Sequence, residues 1–195
     1  MSQPTDSELV ISTRSGDLDA YRELVRRYHR QLYSGAYRIT LHGADAGEAT
    51  QAAFVKAFVH LDRFDTERPF FSWIYRILVR ESLDLCAYRR RLLQYDSASD
   101  PRRELRDPER DLQAAETSDV VRRALGGLSP EHRTVIALRH YDGLPYREIA
   151  DMLELDEKTV KSRLHEARRK LRDALTASGL VDTTQLSTLG RRAPG

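Results

Sequence analysis

The polar side chains with the clearest chemical potential lie between residues 157 and 176. Seven lysines and arginines, against one acid (Glu166), stand between residues 158 and 172. Guanidinium and ammonium groups at this density suit phosphate oxygens, and the hydroxyls among them suit phosphates or base edges. The pattern predicts a nucleic-acid surface made of Lys158, Thr159, Lys161, Ser162, His165, Arg168 and Arg169.

Helical periodicity positions these groups on one face. An apolar stripe that includes Val160 and Leu164 occupies the opposite face of a helix predicted to end near Ala177. A short helix over residues 145–153 precedes it, and a tight turn leads to Asp156, a suitable N-cap. A basic helix alone is usually a solvated surface. The short helix, turn and basic helix together favour a DNA-binding helix-turn-helix.

Five further helices are predicted, and strand signals are weak throughout. They begin near Leu18, Asp45, Pro69, Leu112 and Ser129-Pro130. Between residues 94 and 111, many charged residues and two prolines interrupt the helical periodicity. The predicted fold class is all-α, with two small helical domains at residues 1–93 and 112–177, a flexible linker at 94–111 and a disordered tail at 178–195.

Bulk composition narrows the class of protein. The chain is 40% hydrophobic and 32% charged, with a net charge of +2 and a mean hydropathy of −0.59. Cys86, the single cysteine, is interpreted as a small buried hydrophobe. No signal peptide or apolar run of ~20 residues occurs, so we expect a cytoplasmic protein without membrane insertion. The six histidines are scattered along the sequence, and no Gly-rich phosphate-binding loop occurs. We therefore expect a protein that is not an enzyme and that has no cofactor or metal site.

Three stretches of the chain resemble one protein family. LSPEHRTVIALRHYDGLPYREIADMLELDEKTVKSRLHEARRKLRDAL, residues 128–175, is similar to region 4 of the extracytoplasmic-function (ECF) sigma factors. AYRELVRRYHRQLYSGAYRIT, residues 20–40, resembles their region 2.1. LDRFDTERPFFSWIYRILVRESLDLCAYRRR, residues 61–91, resembles their regions 2.3 and 2.4.

The resemblance implies an alternative sigma factor that binds core RNA polymerase and directs promoter-specific initiation. In this family the first domain binds the β′ clamp helices and melts the −10 element of promoter DNA. The second domain reads the −35 element and docks on the β flap. The basic helix described above would then be the −35 reader.

For the −10 element, the resemblance points to the loop at residues 64–69 and the helix after it. Rings and cations there suit an unstacked base and its backbone. Trp73 shares a stripe with Ile77 and is assigned to the core rather than to base stacking. Arg80 stands where the family usually has Asn, and Glu166 where some relatives carry a basic residue, so promoter sequences do not transfer. The implied site is Phe64, Asp65, Arg68, Phe70, Arg76 and Arg80.

Region 2.2 departs most from the family. Residues 45–54 are DAGEATQAAF, where the family pattern is close to DAEDLVQEVF, so Gly47 and Ala52 replace acids. A helical wheel places Ala52 on the outward face that should meet the basic clamp helices. Fewer acids there predict weaker attraction to the core enzyme. The implied polymerase contacts are Asp45, Glu48, Gln51 and Val55.

Thr50 lies in this depleted stretch, and two kinds of regulator stay open. Some relatives with a depleted region 2.2 are controlled by a serine/threonine kinase instead of an anti-sigma factor. A phosphate adds about two negative charges, so phosphorylation near Thr50 is a hypothesis for switching on polymerase binding. The wheel places Thr50 near the inward face, where the simpler interpretation is a threonine that fills a packing slot.

A helix-turn-helix regulator that does not act as a sigma subunit is the alternative function. It explains residues 128–177. It leaves unexplained the segment RFDTERPFFSW at residues 63–73 and the basic helix that follows.

Overall fold

A computed structural model of the chain describes residues 3–95 and 112–178, which form two compact units. Helices and turns make up both units, and no strand occurs within these two ranges, which confirms the all-α class. The last helix of the first unit continues through Gln94 and Tyr95, two residues assigned to the linker. Residues 96–111 and 179–195, where the rest of the predicted linker and nearly all of the tail fall, lie outside the described residues.

The first unit contains four α-helices: α1 (Asp6–Arg14), α2 (Leu18–Thr40), α3 (Gly43–Val59) and α4 (Phe70–Tyr95). A 3₁₀ turn (Leu61–Arg63) and the loop at residues 64–69 join α3 to α4. α4 begins one residue after Pro69.

Sequence reasoning missed α1, although its start carries a signal. The Thr5 hydroxyl accepts from the Glu8 amide (3.3 Å), and the Thr5 amide donates to the Glu8 carboxylate (2.7 Å). This capping box gives the backbone N–H groups of both Thr5 and Glu8 a hydrogen-bond acceptor. The same contacts hold the pKa of Glu8 below its usual value, because the Thr5 amide stabilises the carboxylate.

The core of the first unit lies where α2, α3 and α4 pack together. Leu24, Leu32 and Ile39 of α2 and Ile74 and Leu78 of α4 are buried there. α2 and α4 approach closely at a glycine, because a Cβ on Gly35 would lie 2.5 Å from the Tyr75 hydroxyl. The amphipathic stripes predicted for these helices therefore form one core.

The second unit contains α5 (Leu112–Gly126), α6 (Pro130–Ile136), α7 (Tyr146–Leu153) and α8 (Glu157–Ala177). The helix predicted from residue 130 to 141 is α-helical only to Ile136 and continues as a π-helical turn (Ala137–Tyr141). The tight turn before α8 begins at Glu154, whose backbone is left-handed (φ 55°). Among the described residues, no helix is long and apolar enough to cross a membrane.

Candidate nucleic-acid and partner interfaces

The end of α7, the turn at Glu154 and α8 form a helix-turn-helix. Asp156 caps α8 as predicted, by accepting from the Thr159 amide at 2.7 Å. That hydrogen bond lowers the pKa of Asp156. The inner face of α8 is buried and carries Val160, Leu164 and Ala167.

Six of the seven predicted DNA-reading residues share the exposed side of α8. They are Lys158, Lys161, Ser162, His165, Arg168 and Arg169. Thr159 differs, because it is half-buried and its hydroxyl donates to the Asp156 carboxylate at 2.8 Å. Thr159 therefore belongs to the cap of α8 more than to its reading face.

Two of these cations, Lys161 and Arg169, form exposed ion pairs with acids of the same helix. Lys161 lies 3.3 Å from the Glu157 carboxylate and 5.5 Å from the centre of the Tyr146 ring. Arg169 lies 3.7 Å from Asp173. Exposed ion pairs of this kind contribute at most about 1 kcal/mol. A phosphate can replace such a partner at little cost.

Glu166 is about half exposed and is paired with a neighbouring cation and a histidine. Its carboxylate lies 2.8 Å from Lys170 and 3.5 Å from the His132 ring on α6. The hydrogen bond and charge of Lys170 lower the pKa of Glu166, so it stays ionised. The acid at this position thus helps to tie α8 to α6.

Arg168 is held by the π-helical turn. Its Nε donates to Nε2 of His140 at 3.0 Å, which requires that ring nitrogen to be unprotonated. Partial burial, and then the charges of Arg168 and Arg139, lower the pKa of His140. The contact fixes one cation of the reading face.

The loop at residues 64–69 stands on an aromatic base. Phe64 and Phe70, both predicted to touch the −10 element, are only 4% and 1% exposed. Their ring centres lie 5.6 Å apart, and each packs on Trp73, at 5.0 and 5.8 Å. In the chain without DNA the two rings support the loop, because they pack on one another and on Trp73, and their direct contact with the −10 element stays a prediction.

The other residues predicted for this region are more accessible. Asp65 and Arg68 are exposed on the loop, 3.4 Å apart, and Arg80 is exposed on α4. Arg76 is half-buried, and its Nε has no hydrogen-bond partner among the described residues. The structure brings Asp65 and Arg68 together on the loop.

Arg14 of α1 also belongs to this region, and sequence reasoning missed it. Its guanidinium donates to the carbonyl groups of Leu61 and Phe64, at 2.7 and 2.5 Å. These partners stand 47 and 50 residues further along the chain. No local pattern announces contacts at such separation.

The outward face of α3 carries Glu48, Gln51 and Val55, as the helical wheel predicted. Ala52 is half-buried beside them. One turn further on, Phe58 and Val59 are exposed by 44% and 65%. The face is therefore mostly apolar, with Glu48 as its acid.

Asp45 does not belong to that face. It is 7% exposed, and its carboxylate accepts from Arg89 of α4 at 2.7 Å and lies 3.1 Å from Nδ1 of His42. The carboxylate joins the start of α3 to α4, and a contact of Asp45 with the polymerase stays a prediction.

Thr50 is buried. It is 1% exposed, and its hydroxyl donates to the Ala46 carbonyl at 2.7 Å. The wheel placed it near the inward face, and the structure places it fully inside. In this fold the hydroxyl fills a packing position in α3, and phosphorylation at Thr50 stays a prediction.

Known proteins resemble the chain over both units. The model of Sigma-70 region 2 matches residues 24–92, and that of Sigma-70 region 4 matches residues 118–171. The chain is 33% identical over 179 residues to the ECF RNA polymerase sigma-E factor of Escherichia coli K12, covering 87% of this chain and 93% of that protein. The chain belongs to the ECF sigma factors.

Further relatives agree. This sigma factor is 30% identical over 176 residues to the ECF RNA polymerase sigma factor SigW of Bacillus subtilis, covering 85% of this chain and 94% of that protein. The predicted family is confirmed, and with it the function of an alternative sigma factor in transcription initiation and not of an enzyme.

Two solved structures share the fold. CnrH in complex with the cytosolic domain of CnrY is 31% identical, with a TM-score of 0.63, and covers 88% of this chain and 97% of that one. The sigma factor RpoE of Bartonella quintana, in complex with the anti-sigma factor NepR, has a TM-score of 0.67. RpoE is 22% identical to this sigma factor, and the match covers 80% of this chain and 96% of RpoE. At that identity the likeness supports the fold alone.

Proposed function

We propose that this sigma factor binds core RNA polymerase through the face of α3 and reads promoter DNA at two places. Loop 64–69 with α4 reads the −10 element, and α8 reads the −35 element. The observation that carries the proposal is the combination in one chain of an exposed helix-turn-helix face and an exposed loop on an aromatic base. The alternative, a regulator that is not a sigma subunit, needs only the first.

At the −35 element, the first two turns of α8 enter the major groove. Lys158, Lys161, Ser162 and His165 contact base edges there, because the start of a recognition helix meets the bases. Arg168 and Arg169, further along, bind the phosphate backbone. The negative charge of Glu166 is offset by Lys170, which lies 2.8 Å away.

At the −10 element, the exposed loop residues Asp65 and Arg68 approach the unstacked bases. Arg76 and Arg80 of α4 follow the backbone of the same strand. Phe64 and Phe70 serve indirectly, by supporting the loop from below.

At the polymerase, Glu48, Gln51 and Val55 meet the β′ clamp helices, with Phe58 and Val59 at the edge of the contact. The second unit docks on the β flap. Because the α3 face has one exposed acid and three exposed apolar side chains, burial of apolar surface supplies more of the affinity than charge does. The protein works in the cytoplasm with its polymerase.

An anti-sigma factor that covers the α3 face is the favoured regulator. Buried Thr50 argues against a kinase acting there. Exposed Val55, Phe58 and Val59 offer an apolar surface that an inhibitor protein and the polymerase can both use. The two partners would then compete for one site.

The test of the polymerase surface is the affinity of the labelled full-length chain for core RNA polymerase. Gln51→Lys should weaken binding about tenfold, because like charge faces the basic clamp helices. Ala52→Glu should strengthen it, because it returns an acid. Thr176→Lys, the same charge change at an exposed site on α8, is the matched control and should match wild type. Equal affinity of all four proteins would contradict this surface.

A further inference from the structure

We infer that α1 holds the promoter-reading loop in place and that Arg14 is its positioning residue. The inference rests on the proposed function, in which loop 64–69 reads the −10 element. It concerns a helix that supplies none of the proposed DNA-contacting side chains but hydrogen-bonds to the backbone of the loop.

The Arg14 guanidinium clamps the chain where the 3₁₀ turn enters the loop. Nη2 donates to the Leu61 carbonyl at 2.7 Å and to the Phe64 carbonyl at 2.5 Å, with a longer approach to Asp62 at 3.4 Å. Nε also donates to Leu61, at 3.2 Å. The planar fork of arginine binds several acceptors at fixed angles, which an ammonium group does not reproduce.

Ser7 makes a second contact from the same side of α1. Its hydroxyl donates to the Thr66 carbonyl at 2.9 Å, inside the loop itself. Ser7 and Arg14 are seven residues apart, about two helical turns, and so share one face of α1. α1 therefore holds backbone carbonyls along residues 61–66.

α1 is itself fixed to the body of the unit. Asp6 accepts from Arg27 of α2 at 2.5 Å and also accepts a short hydrogen bond from the Tyr28 hydroxyl. The Tyr28 ring packs 5.9 Å from Phe70. Burial, and then the Asp6 carboxylate, raise the pKa of Tyr28 to about 12, so the hydroxyl remains a donor.

These contacts leave the exposed side chains of Asp65 and Arg68 on a loop whose backbone is held from two sides. The aromatic rings hold it at α4, and α1 holds it at residues 61–66. Recognition groups must be held within about 0.5 Å of their working geometry to discriminate. Removing the Arg14 hydrogen bonds should therefore reduce the discrimination between bases at the −10 element and leave the α3 face unchanged.

The test uses the full chain bound to core polymerase and a pool of single-stranded oligonucleotides with a randomised centre. Wild type should enrich a defined sequence. Arg14→Ala should keep core affinity within about twofold but discriminate about tenfold less against single-base changes, the discrimination of one lost base contact. Arg22→Ala, an exposed arginine of α2 paired with Asp19, is the control and should behave as wild type.

Amide hydrogen exchange on the same proteins locates the change. In Arg14→Ala, exchange should speed up at residues 61–68 and stay as in wild type within α2 and α4. If α2 and α4 also open, Arg14→Lys decides the matter, because it keeps the charge without the fork. Its discrimination and loop exchange should then fall between wild type and Arg14→Ala.

Wild-type discrimination by Arg14→Ala with intact helices, or by Arg14→Lys where the alanine variant opens, would overturn the inference alone. Failure of the wild-type complex to enrich any sequence would overturn the proposed function, and the inference with it.

Discussion

The two DNA-reading surfaces are built in different ways. α8 presents its reading residues on one side of a single helix, whose opposite side is anchored by Val160, Leu164 and Ala167. Loop 64–69 has no periodic structure, and its position depends on side chains from α1 and α4. On α8 a reading residue can be removed without disturbing the fold. At the loop, the exposed reading residues depend on supporting contacts made by other side chains.

The largest expected difference between the two surfaces is in stability. Phe70→Ala should destabilise the first unit by about 3–5 kcal/mol, because it leaves a cavity among Phe64, Trp73 and Tyr28. His165→Ala on α8 should change stability by less than about 0.5 kcal/mol. Urea denaturation followed by circular dichroism measures both, and equal effects would erase the contrast.

A smaller effect is expected in affinity for the −35 element. Lys161→Ala should weaken binding by about 1–3 kcal/mol and relax specificity at one position, because it removes a base-edge contact. The same variant should unfold at the wild-type urea concentration. Uniform weakening across all sequences would instead assign Lys161 to the backbone.

Arg169 should differ from Lys161 in kind. Arg169→Ala should weaken all sequences alike and reduce the slope of log affinity against log salt by about 1, as loss of one phosphate contact requires. Titrations at several salt concentrations measure the slope. An unchanged slope would remove Arg169 from the DNA interface.

The smallest effect is a pH dependence in the second unit. Because the pKa of His140 is lowered in the fold, the unfolded chain binds more protons than the folded chain just below the ordinary value of about 6.5. Neutral His140 therefore adds to the free energy of unfolding above pH 6.5. This contribution falls as the pH drops from 6.5 to the lowered pKa of the folded state, and it is constant below that pKa. His140→Gln should remove it. Identical pH profiles for variant and wild type would show that the Arg168 contact does not respond to this proton.

The same contrast decides what the sequence could predict. The exposed residues of α8 follow from periodicity and one cap, because both are local, and only Thr159 was placed too far outward. Around the loop, Phe64 and Phe70 were assigned to DNA by resemblance, although Trp73, which packs on both rings, lies only a few residues further along the chain. Arg14 was missed because its partners lie 47 and 50 residues away.

α3 shows both outcomes within one helix. The wheel placed Glu48, Gln51 and Val55 correctly on the outside. The burial of Asp45 could not be predicted in this way, because its partner Arg89 lies 44 residues away and a wheel carries no information about other helices. The helices and their order were predictable from local pattern, whereas α1 was too short to stand out without its capping box.

The central claim is that this chain gives core polymerase its promoter specificity. The most direct test maps transcript 5′ ends made in vitro on genomic DNA of the source organism, by core polymerase with and without the full-length chain. The account predicts new, discrete 5′ ends that share one −10 and one −35 sequence and that disappear when either is altered. Tight binding of the chain to core polymerase with no new 5′ ends would contradict it.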